Sequence, residues 1–561
     1  MKLFLKKHWL IIAILLIAAF LRIYKLDTYP ALNADEAAIG YNAYSLIETG
    51  KDEHGRAYPV HFQSFNDWKP GAYFYIVLPF VKFMGLTVMS VRLPNAIIAV
   101  LTVVSVYFFV KVLFPSVKTK IFGSELELSH VAAFFLAISP WHLHFSRGGW
   151  EVGTATFLVI TGVTLILYGL KYEFNFKYLF LGLSLLILSL YTYHAARVLV
   201  PLLAFGYLFI YRQQIFIPKN KKRLLILILL SFIVAAPLVK DLLGGDVFSR
   251  AAGVGLFADK GPINRLNEQR GEHGDVTNIF AKLVHNKPVN YGLAFLKNWA
   301  MHFQGEFLFF TGDSIQRNKV PETGVMYLID ILFIALGLVF IAKNHSQSPK
   351  PYLSILWWLV VAPVAAALTF QAPHALRAEN MVIPLVVISS FGFIYLINLT
   401  NFAKSYKFIF VVQLIVFAVV VWGFSRYLHQ YYVHMAKEYP YSSQYGVKEL
   451  VEYIQTNQDK YQDIVVTTSY DQPYILFLFY LKYPPSKFQG HHSLSSRDEF
   501  GFSTVNDFDK FHFANLDYDS LRVEYPNSLI VGTKSEIPKE ANVVKKIYGS
   551  NGFEYFNIVA N

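Results

Sequence analysis

Gly71-Ala72-Tyr73-Phe74-Tyr75-Ile76-Val77-Leu78-Pro79-Phe80-Val81-Lys82-Phe83-Met84-Gly85-Leu86-Thr87-Val88 is an apolar stretch whose placement decides the topology of the whole chain. It is greasy enough to be counted as a membrane crossing, yet Tyr73, Phe74, Tyr75, Phe80 and Phe83 suit an interface, where aromatic rings sit at headgroup level. Eleven other apolar stretches, near the roughly 20 residues that a bilayer demands except for a short one at 198–212, occur at 9–26, 90–113, 130–147, 152–170, 178–196, 198–212, 223–240, 323–342, 352–371, 377–397 and 407–428. Basic residues arbitrate between the two readings. With 71–88 lying along the surface, the short loops of one side collect Lys111, Lys118, Lys120, Lys171, Lys177, Arg212, Lys219, Lys221, Lys222, Arg223, Lys343, Lys350, Lys404 and Lys407, and the short loops of the other hold few. If 71–88 spans instead, every later loop changes sides and the positive-inside bias inverts. The surface placement therefore predicts a cell-membrane protein of about 11 spans, N-terminus cytoplasmic and C-terminus outside, with long outer segments at 27–89 and 241–322.

Composition leads to the same class. Of 561 residues 54% are hydrophobic and only 16% charged, where ordinary globular chains run at roughly a quarter charged. With 50 Phe and 36 Tyr besides, the chain is built for a largely lipid solvent, and disorder, collagen and small disulfide scaffolds are excluded. There is no Cys, so disulfides, thiolate metal sites and a cysteine nucleophile are excluded too. The run from Trp9 to Leu26 follows Lys2, Lys6 and Lys7, and no small-residue cleavage site comes after it; it reads as a retained anchor, not a signal peptide. The net charge of +12 lies mostly in loops beside the bilayer, where it orients spans and meets anionic lipid rather than nucleic acid.

Near residue 430 the composition changes. Residues 430–561 hold 12 Lys and Arg against 16 Asp and Glu, whereas residues 1–429 hold 38 against 22. This divides the chain into a transmembrane domain, 1–429, and an extracytoplasmic soluble α/β domain, 430–561. In the latter, 444–457 and 473–482 read as helices, Ile464 to Thr468 and 528–532 as strands, and Ser550-Asn551-Gly552 as a hairpin turn before a terminal strand. No solenoid repeat and no inverted pair of broken hydrophobic segments is found.

Ionisable groups near lipid are costly and rarely kept without use, and here they crowd the outer face. Tyr29-Pro30-Ala31-Leu32-Asn33-Ala34-Asp35-Glu36-Ala37-Ala38 reads as a turn and the start of a surface helix with two carboxylates at its N-terminus. By itself such a pair is commonly a cap and a dipole partner. It is followed by Asn66-Asp67-Trp68-Lys69-Pro70-Gly71-Ala72-Tyr73-Phe74-Tyr75 and by Val91-Arg92-Leu93-Pro94-Asn95-Ala96. An acidic pair after the first span, a Lys-Pro before an aromatic surface helix and an Arg-Leu-Pro opening the next span together resemble the GT-C membrane glycosyltransferases that use polyprenyl-phosphate sugars. Protein O-mannosyltransferases (glycosyltransferase family 39) and lipid A aminoarabinose transferases are of this kind. The resemblance is strongest over residues 1–200. It implies an integral membrane enzyme that takes a sugar from a lipid-linked phosphate on the outer or lumenal face, with the catalytic acid at Asp35 and a donor-phosphate contact at Lys69. Two departures stand out: the usual Lys-Pro-Pro is Lys69-Pro70-Gly71, and the residue before the lysine, acidic in some relatives, is Trp68.

The chemistry agrees with that assignment. Transfer from a sugar phosphate to a hydroxyl needs a base for the acceptor proton and cations for the charge that builds on the departing phosphate. Asp35 supplies the base, Glu36 orients it or a sugar hydroxyl, and Lys69 and Arg92 neutralise the phosphate. Lys69 fits equally a snorkelling interfacial lysine, and Arg92 a span anchor.

A further pattern belongs to the sequence alone. His-x-x-Arg occurs as His144-Phe145-Ser146-Arg147, His194-Ala195-Ala196-Arg197 and His374-Ala375-Leu376-Arg377, each at the outer end of an expected span. Residues three apart share a helix face, so the pairs are expected to rim a cavity that grips phosphate or sugar hydroxyls, arginine making two-point phosphate contacts. Three interfacial arginines with aromatic neighbours would look the same. Neither His142 with His144 nor His491 with His492 has convincing metal-ligand spacing, so no metal site and no required cofactor is expected; Glu151, close to Arg147, leaves room for a divalent ion. The stretch Arg265-Leu266-Asn267-Glu268-Gln269-Arg270-Gly271-Glu272-His273-Gly274-Asp275 is read as a polar outer loop, ordering over acceptor or simply solvated.

The leading expectation is an inverting, metal-independent transfer of one sugar from a polyprenyl-phosphate carrier to a protein, lipid or glycan hydroxyl. A multispan transporter or flippase of a lipid-linked substrate is the alternative, although it would favour ionisable groups near the membrane midplane. A third reading, an outer binding module on a membrane anchor, makes poor use of eleven spans. Sugar, acceptor and oligomeric state are not legible.

Overall fold

Long runs of Leu, Ile, Val and Phe set most of the described residues as helix, even across Pro79, Pro94, Pro201 and Pro237. The computed structural model describes residues 2–243, 253–275, 278–401, 405–439, 442, 444–498 and 501–561. Lys404 and parts of the expected outer segments 241–322 and 430–561 lie outside the described residues. Four helices open the chain: α1 (Lys2–Ile23), α2 (Ala34–Thr49), α3 (Ala72–Met84) and α4 (Val88–Leu113). Among the described residues three sheets accompany the helices. Strands β1 (His61–Ser64) and β2 (Asp67–Pro70) form a hairpin, β3 (Lys118–Ile121) and β4 (Ser124–Glu127) another. The third has the order β10-β11-β9-β5-β8-β7-β6, from β5 (Asp463–Thr467), β6 (His492–Leu494), β7 (Val505–Phe508), β8 (Phe511–Ala514), β9 (Ser528–Gly532), β10 (Val543–Tyr548) and β11 (Glu554–Ala560). By contact the chain forms two units: Met1–Arg22, Ala96–Ser146 and Glu151–Leu428 in the first, Ile23–Asn95, Arg147–Trp150 and His429–Asn561 in the second.

Among the described residues six helices are long and apolar enough to cross a membrane: Val88–Leu113, Glu151–Lys171, Pro218–Leu242, Pro349–Ala367, Glu379–Asn401 and Tyr406–Glu438. Shorter apolar helices such as His8–Ile23, Phe176–Leu190 and Ala196–Ile210 occupy further stretches of the expected eleven. The stretch 130–147 is not one helix: Leu128–Ile138 ends at Ser139, and a separate helix runs Pro140–Ser146. Proline lacks the N–H that a continuing helix needs and pushes the residue before it out of the helical region, which Ser139 obeys with ψ 128°. The expected polar loop at 265–275 is instead mostly helix, Gly261–Glu272. Pro262 opens that helix, and Arg265 reaches Glu268 at 3.1 Å and Glu272 at 3.4 Å along one face.

In the second unit the core joins α2, α3 and the C-terminal sheet. The helix Pro473–Leu481 is apolar on every face and buried from Pro473 to Phe479, as an all-round hydrophobic helix must be. It packs against α2 at Gly40, where a Cβ would lie 2.6 Å from Phe479. Thus α2, expected on the surface, is largely buried, because its run of Ala and Gly permits close approach from both sides. Helix α3 buries Tyr73, Phe74, Val77 and Val81, with Phe74 stacked on Phe62 at 4.2 Å, and exposes Phe83 and Met84. Tyr73 and Phe74 are therefore core residues and not interfacial ones. At 13 residues α3 extends about 20 Å, short of the roughly 30 Å of a bilayer's hydrocarbon.

The C-terminal sheet is mixed. Its centre is parallel, β5 between β8 and β9, and its edges are antiparallel. The helix expected at 444–457 runs Val447–Asn457, and the Ser550-Asn551-Gly552 turn joins β10 to β11 with Gly552 at φ 77°. The β7–β8 turn carries no such sign: it runs through Asp509 and Lys510, with Asp509 at φ 52° and no glycine to announce it.

Candidate functional site

The site residues of the second unit begin with a helix cap. Asn33 closes a capping box on α2: its side chain accepts from the Glu36 N–H at 3.1 Å, and Glu36 Oε2 accepts from the Asn33 N–H at 3.2 Å. This sets Asp35 and Glu36 in the first turn, where the helix dipole favours negative charge. The two carboxylates then part.

Glu36 faces inward. Its Oε1 accepts from Arg92 Nε and from the Gly149 N–H, each at 2.7 Å, and its Oε2 from Arg92 Nη2 at 2.7 Å. Arg92 completes its coordination on backbone carbonyls: Leu26 at 3.0 Å and Pro30 at 2.8 Å through Nη1, and Ala31 at 3.0 Å through Nη2. A guanidinium has five N–H donors, and here all five are engaged. With side chains 1% and 0% exposed, the pair is a sealed knot that fixes the turn 26–31, the start of α2 and the first turns of α4. Arg92, expected at the donor phosphate, has no N–H left for one in this arrangement.

Asp35 points the other way. Lys69 Nζ donates to its Oδ1, and the side chains are 24% exposed for Asp35 and 8% for Lys69. Lys69 stands on β2, opposite Phe62 in the β1–β2 register, and its ammonium lies 5.0 Å from the Phe65 ring centroid. The hairpin turn holds Phe65 and Asn66 at φ 57° and 60°, a conformation uncommon for a bulky residue, and it places that ring as a floor beneath the amine. Behind Lys69 is a third carboxyl, Glu53, fully buried, which accepts from Asn42 Nδ2 at 3.2 Å. Burial pushes Glu53 up to about 8, against the pull of Asn42 and Lys69. His54 beside it hydrogen-bonds His492 at 3.1 Å and is held down near 3 by burial.

The segment Arg147–Trp150 belongs to the same unit. Gly148 O accepts from Asn95 Nδ2 at 2.8 Å, and Gly149 donates to Glu36. A Cβ on Gly149 would lie 2.9 Å from Val91 and 3.4 Å from Glu36 Cγ, so only glycine lets the backbone reach that carboxylate. Arg147, 2% exposed, donates to the Tyr431 hydroxyl at 3.2 Å and the Tyr24 carbonyl at 2.7 Å, with the Tyr431 and Tyr432 rings at 5.4 and 5.3 Å. Nothing in the sequence marked this tyrosine cage, since its members come from residues 24–29 and 431–432.

The remaining expected residues lie in the first unit. His144 Nε2 meets the Arg317 carbonyl at 2.9 Å, and Glu151 opens the helix Glu151–Lys171. Arg197 Nη1 contacts His194 Nδ1 at 3.3 Å and donates through Nε to the Leu190 carbonyl at 3.1 Å. Arg377 donates to Thr369 Oγ1 at 2.8 Å and to Gln371 Oε1 at 3.3 Å. His374 accepts from the Arg377 N–H at 3.4 Å and lies 3.7 Å from Asp313. The His374 pair is thus a turn rather than one helix face. Asp313, which the sequence did not single out, anchors that turn by accepting from Ala375 N at 2.6 Å. Among the described residues no three His, Asp or Glu side chains gather as a metal-holding group.

No protein-family model matches the chain, and no curated protein does. Solved structures do match. ArnT from Cupriavidus metallidurans in the apo state aligns at TM-score 0.54 and 11% identity over 99% of this chain and 98% of that one. The same protein bound to undecaprenyl phosphate aligns at 0.52 and 11%, again over 99% and 98%. The apo oligosaccharyltransferase of Archaeoglobus fulgidus aligns at 0.52 and 11% over 94% of this chain and 70% of that one. Of the archaeal oligosaccharyltransferase AglB from Archaeoglobus fulgidus, in complex with an inhibitory peptide and a dolichol-phosphate, the chain spans 64%. At such identities the likeness is one of fold. In fold this chain is a GT-C-like polytopic α-helical membrane protein with a C-terminal soluble domain.

Proposed function

We propose that the protein is a membrane glycosyltransferase that moves a sugar from a polyprenyl-phosphate carrier to a hydroxyl acceptor on the extracytoplasmic face. The observation that carries this reading is the Asp35–Lys69 pair: a carboxylate and an ammonium in direct contact, partly open, on a buried scaffold of capped helix and hairpin. Support for a lipid-phosphate donor comes from the fold, shared with a protein solved with undecaprenyl phosphate.

In this scheme the donor phosphate takes the hydrogen bonds of Lys69 and so releases the carboxylate of Asp35. The acceptor O–H gives its proton to Asp35 as its oxygen attacks the anomeric carbon. The bond from that carbon to the phosphate oxygen breaks, the electron pair leaves with the carrier phosphate, and Lys69 holds the charge. A single displacement inverts the anomeric centre. Glu36 and Arg92 take no proton and touch no phosphate; they keep the α2 terminus in place. Arg147, in the same unit as Asp35, is proposed to shape the surroundings of the donor; Arg197, Arg377, His144, His194, His374 and Glu151 stay candidates to be tested by substitution. The leaving charge is assigned to side chains and not to a divalent ion, so turnover in excess chelator is the expected result.

The test is to incubate purified protein with radiolabelled polyprenyl-phosphate sugars and hydroxyl acceptors. A glycosyltransferase moves label and releases free carrier phosphate. Label that crosses a membrane with its carrier intact would instead make the protein a transporter and overturn the reading.

A further inference from the structure

A cavity lined by both polar and apolar groups lies far along the chain from Asp35, wholly within the first unit. The β3–β4 hairpin is pinned to two helices, Val382–Asn401 and Tyr406–His429, by side-chain bonds. Thr119 Oγ1 donates to Asn398 Oδ1 at 2.7 Å, Asn401 Nδ2 to the Lys120 carbonyl at 3.1 Å, and the Phe122 N–H to Gln413 Oε1 at 3.0 Å. Between hairpin and helices is a cavity of about 510 Å³, with Lys118, Lys120, Asn401 and Gln413 among its polar lining and Phe122, Tyr406 and Phe410 among its apolar lining. That size is in the range of roughly 300–1,000 Å³ typical of small-molecule sites.

Two features select the occupant. The first is charge. Lys118 is paired with Glu125, while the ammonium of exposed Lys120 has no hydrogen-bond or ion-pair partner among the described residues. One positive charge at the cavity is therefore unbalanced. The second is the wall. The helix that closes the cavity belongs to the span Tyr406–Glu438, of which an apolar 18-residue stretch is only 17% buried, and Phe410, Val411 and Leu414 carry its apolar surface outward at 46%, 50% and 48% exposure. A cation beside a polar cavity that continues into an unburied apolar helix face matches a molecule with an anionic head and an acyl tail. A free phosphate would use only the first half of that surface.

We propose that this cavity seats the headgroup of an anionic phospholipid, its phosphodiester beside Lys120 and its acyl chains along Phe410 to Leu414. The position agrees with the basic loops, since the positive-inside pattern gives Lys118 and Lys120 to the leaflet rich in anionic lipid. The hydrogen bonds from hairpin to helices already hold the described walls of the site together.

Native mass spectrometry of the full-length protein in detergent tests this, with parallel titrations of phosphatidylglycerol, phosphatidylcholine and inorganic phosphate. Phosphatidylglycerol is expected to bind at least about fivefold more tightly than phosphatidylcholine, as one engaged lysine implies. Lys120→Ala is expected to weaken it about fivefold at an unchanged melting temperature, and Lys120→Arg to bind as the unmodified protein does. Equal binding of the two lipids, or undiminished phosphatidylglycerol binding by Lys120→Ala, overturns the proposal. Displacement of phosphatidylglycerol by equimolar inorganic phosphate overturns it too, by making the site one for a soluble anion.

Discussion

Two neighbouring residues, Asp35 and Glu36, make ion pairs of opposite character. Glu36 and Arg92 are sealed, 1% and 0% exposed, each oxygen and each N–H engaged. Asp35 and Lys69 are partly open, with a carboxylate 24% exposed. A sealed pair is poor catalytic material, because desolvated charges that satisfy one another have nothing to offer a substrate, yet breaking such a pair strands a buried charge. The second pair differs in that one edge is open: Lys69 is 8% exposed, but the carboxylate of Asp35, at 24%, can exchange partners. Helix geometry separates the roles, since consecutive positions point about 100° apart; position N3 reaches back into the capping box and position N2 looks out.

The largest expected effect sharpens this contrast. Asp35→Asn should reduce sugar transfer by about 10²–10⁴-fold, the usual contribution of a general base, in a protein that still folds. A fully active Asp35→Asn enzyme in the label-transfer assay would remove Asp35 from the chemistry. Arg92→Ala attacks the other pair and should cost about 3–5 kcal/mol of stability, as for other buried pairs broken on one side. Removing both partners, Glu36→Ala with Arg92→Ala, should recover part of that loss in denaturant unfolding; if the double variant is no better than the single, the charge left behind is not the cause.

Smaller effects probe the edges of each pair. Gly149→Ala puts a Cβ 2.9 Å from Val91 and against Glu36. It should destabilise by about 1–3 kcal/mol, the range for overpacking, and a thermal melt with no change would show that the segment yields. Glu53 extends the comparison to a third carboxyl, neutral where the other two are paired. Raised by burial from 4.5 to about 8, it binds its proton more tightly folded than unfolded. Its contribution to stability is therefore complete below about pH 4.5 and lost as pH rises through about 8. His54, lowered by burial from 6.5 to about 3, acts oppositely, its contribution lost as pH falls below 6.5. Glu53→Gln should raise the melting temperature most at pH 8, hardly change it at pH 4.5, and leave the His54 acid limb intact. An equal shift at both values would mean that Glu53 ionises freely.

Sequence by itself determined the class of this molecule, because burial in lipid writes itself locally: runs of apolar side chains, short basic stretches between them, and a change of charge balance near residue 430 need no knowledge of contacts. Helix signals were legible for the same reason, from Val447–Asn457 to Pro473–Leu481, and so was the hairpin that Gly552 turns. That Asp35 and Lys69 act together could be expected from motif order, since the acid pair and the Lys-Pro follow each other within residues 27–89, and the two side chains do meet. Tertiary structure alone decided what each charge does. That Arg92 closes on Glu36 and on three carbonyls, that Gly149 reaches the same carboxylate, and that Tyr431 cages Arg147 all depend on residues tens to hundreds of positions apart. Spacing along a chain fixes which face of a helix a side chain leaves from, but its partner is chosen only when distant segments meet, and there the need to satisfy every buried donor and acceptor selects one arrangement.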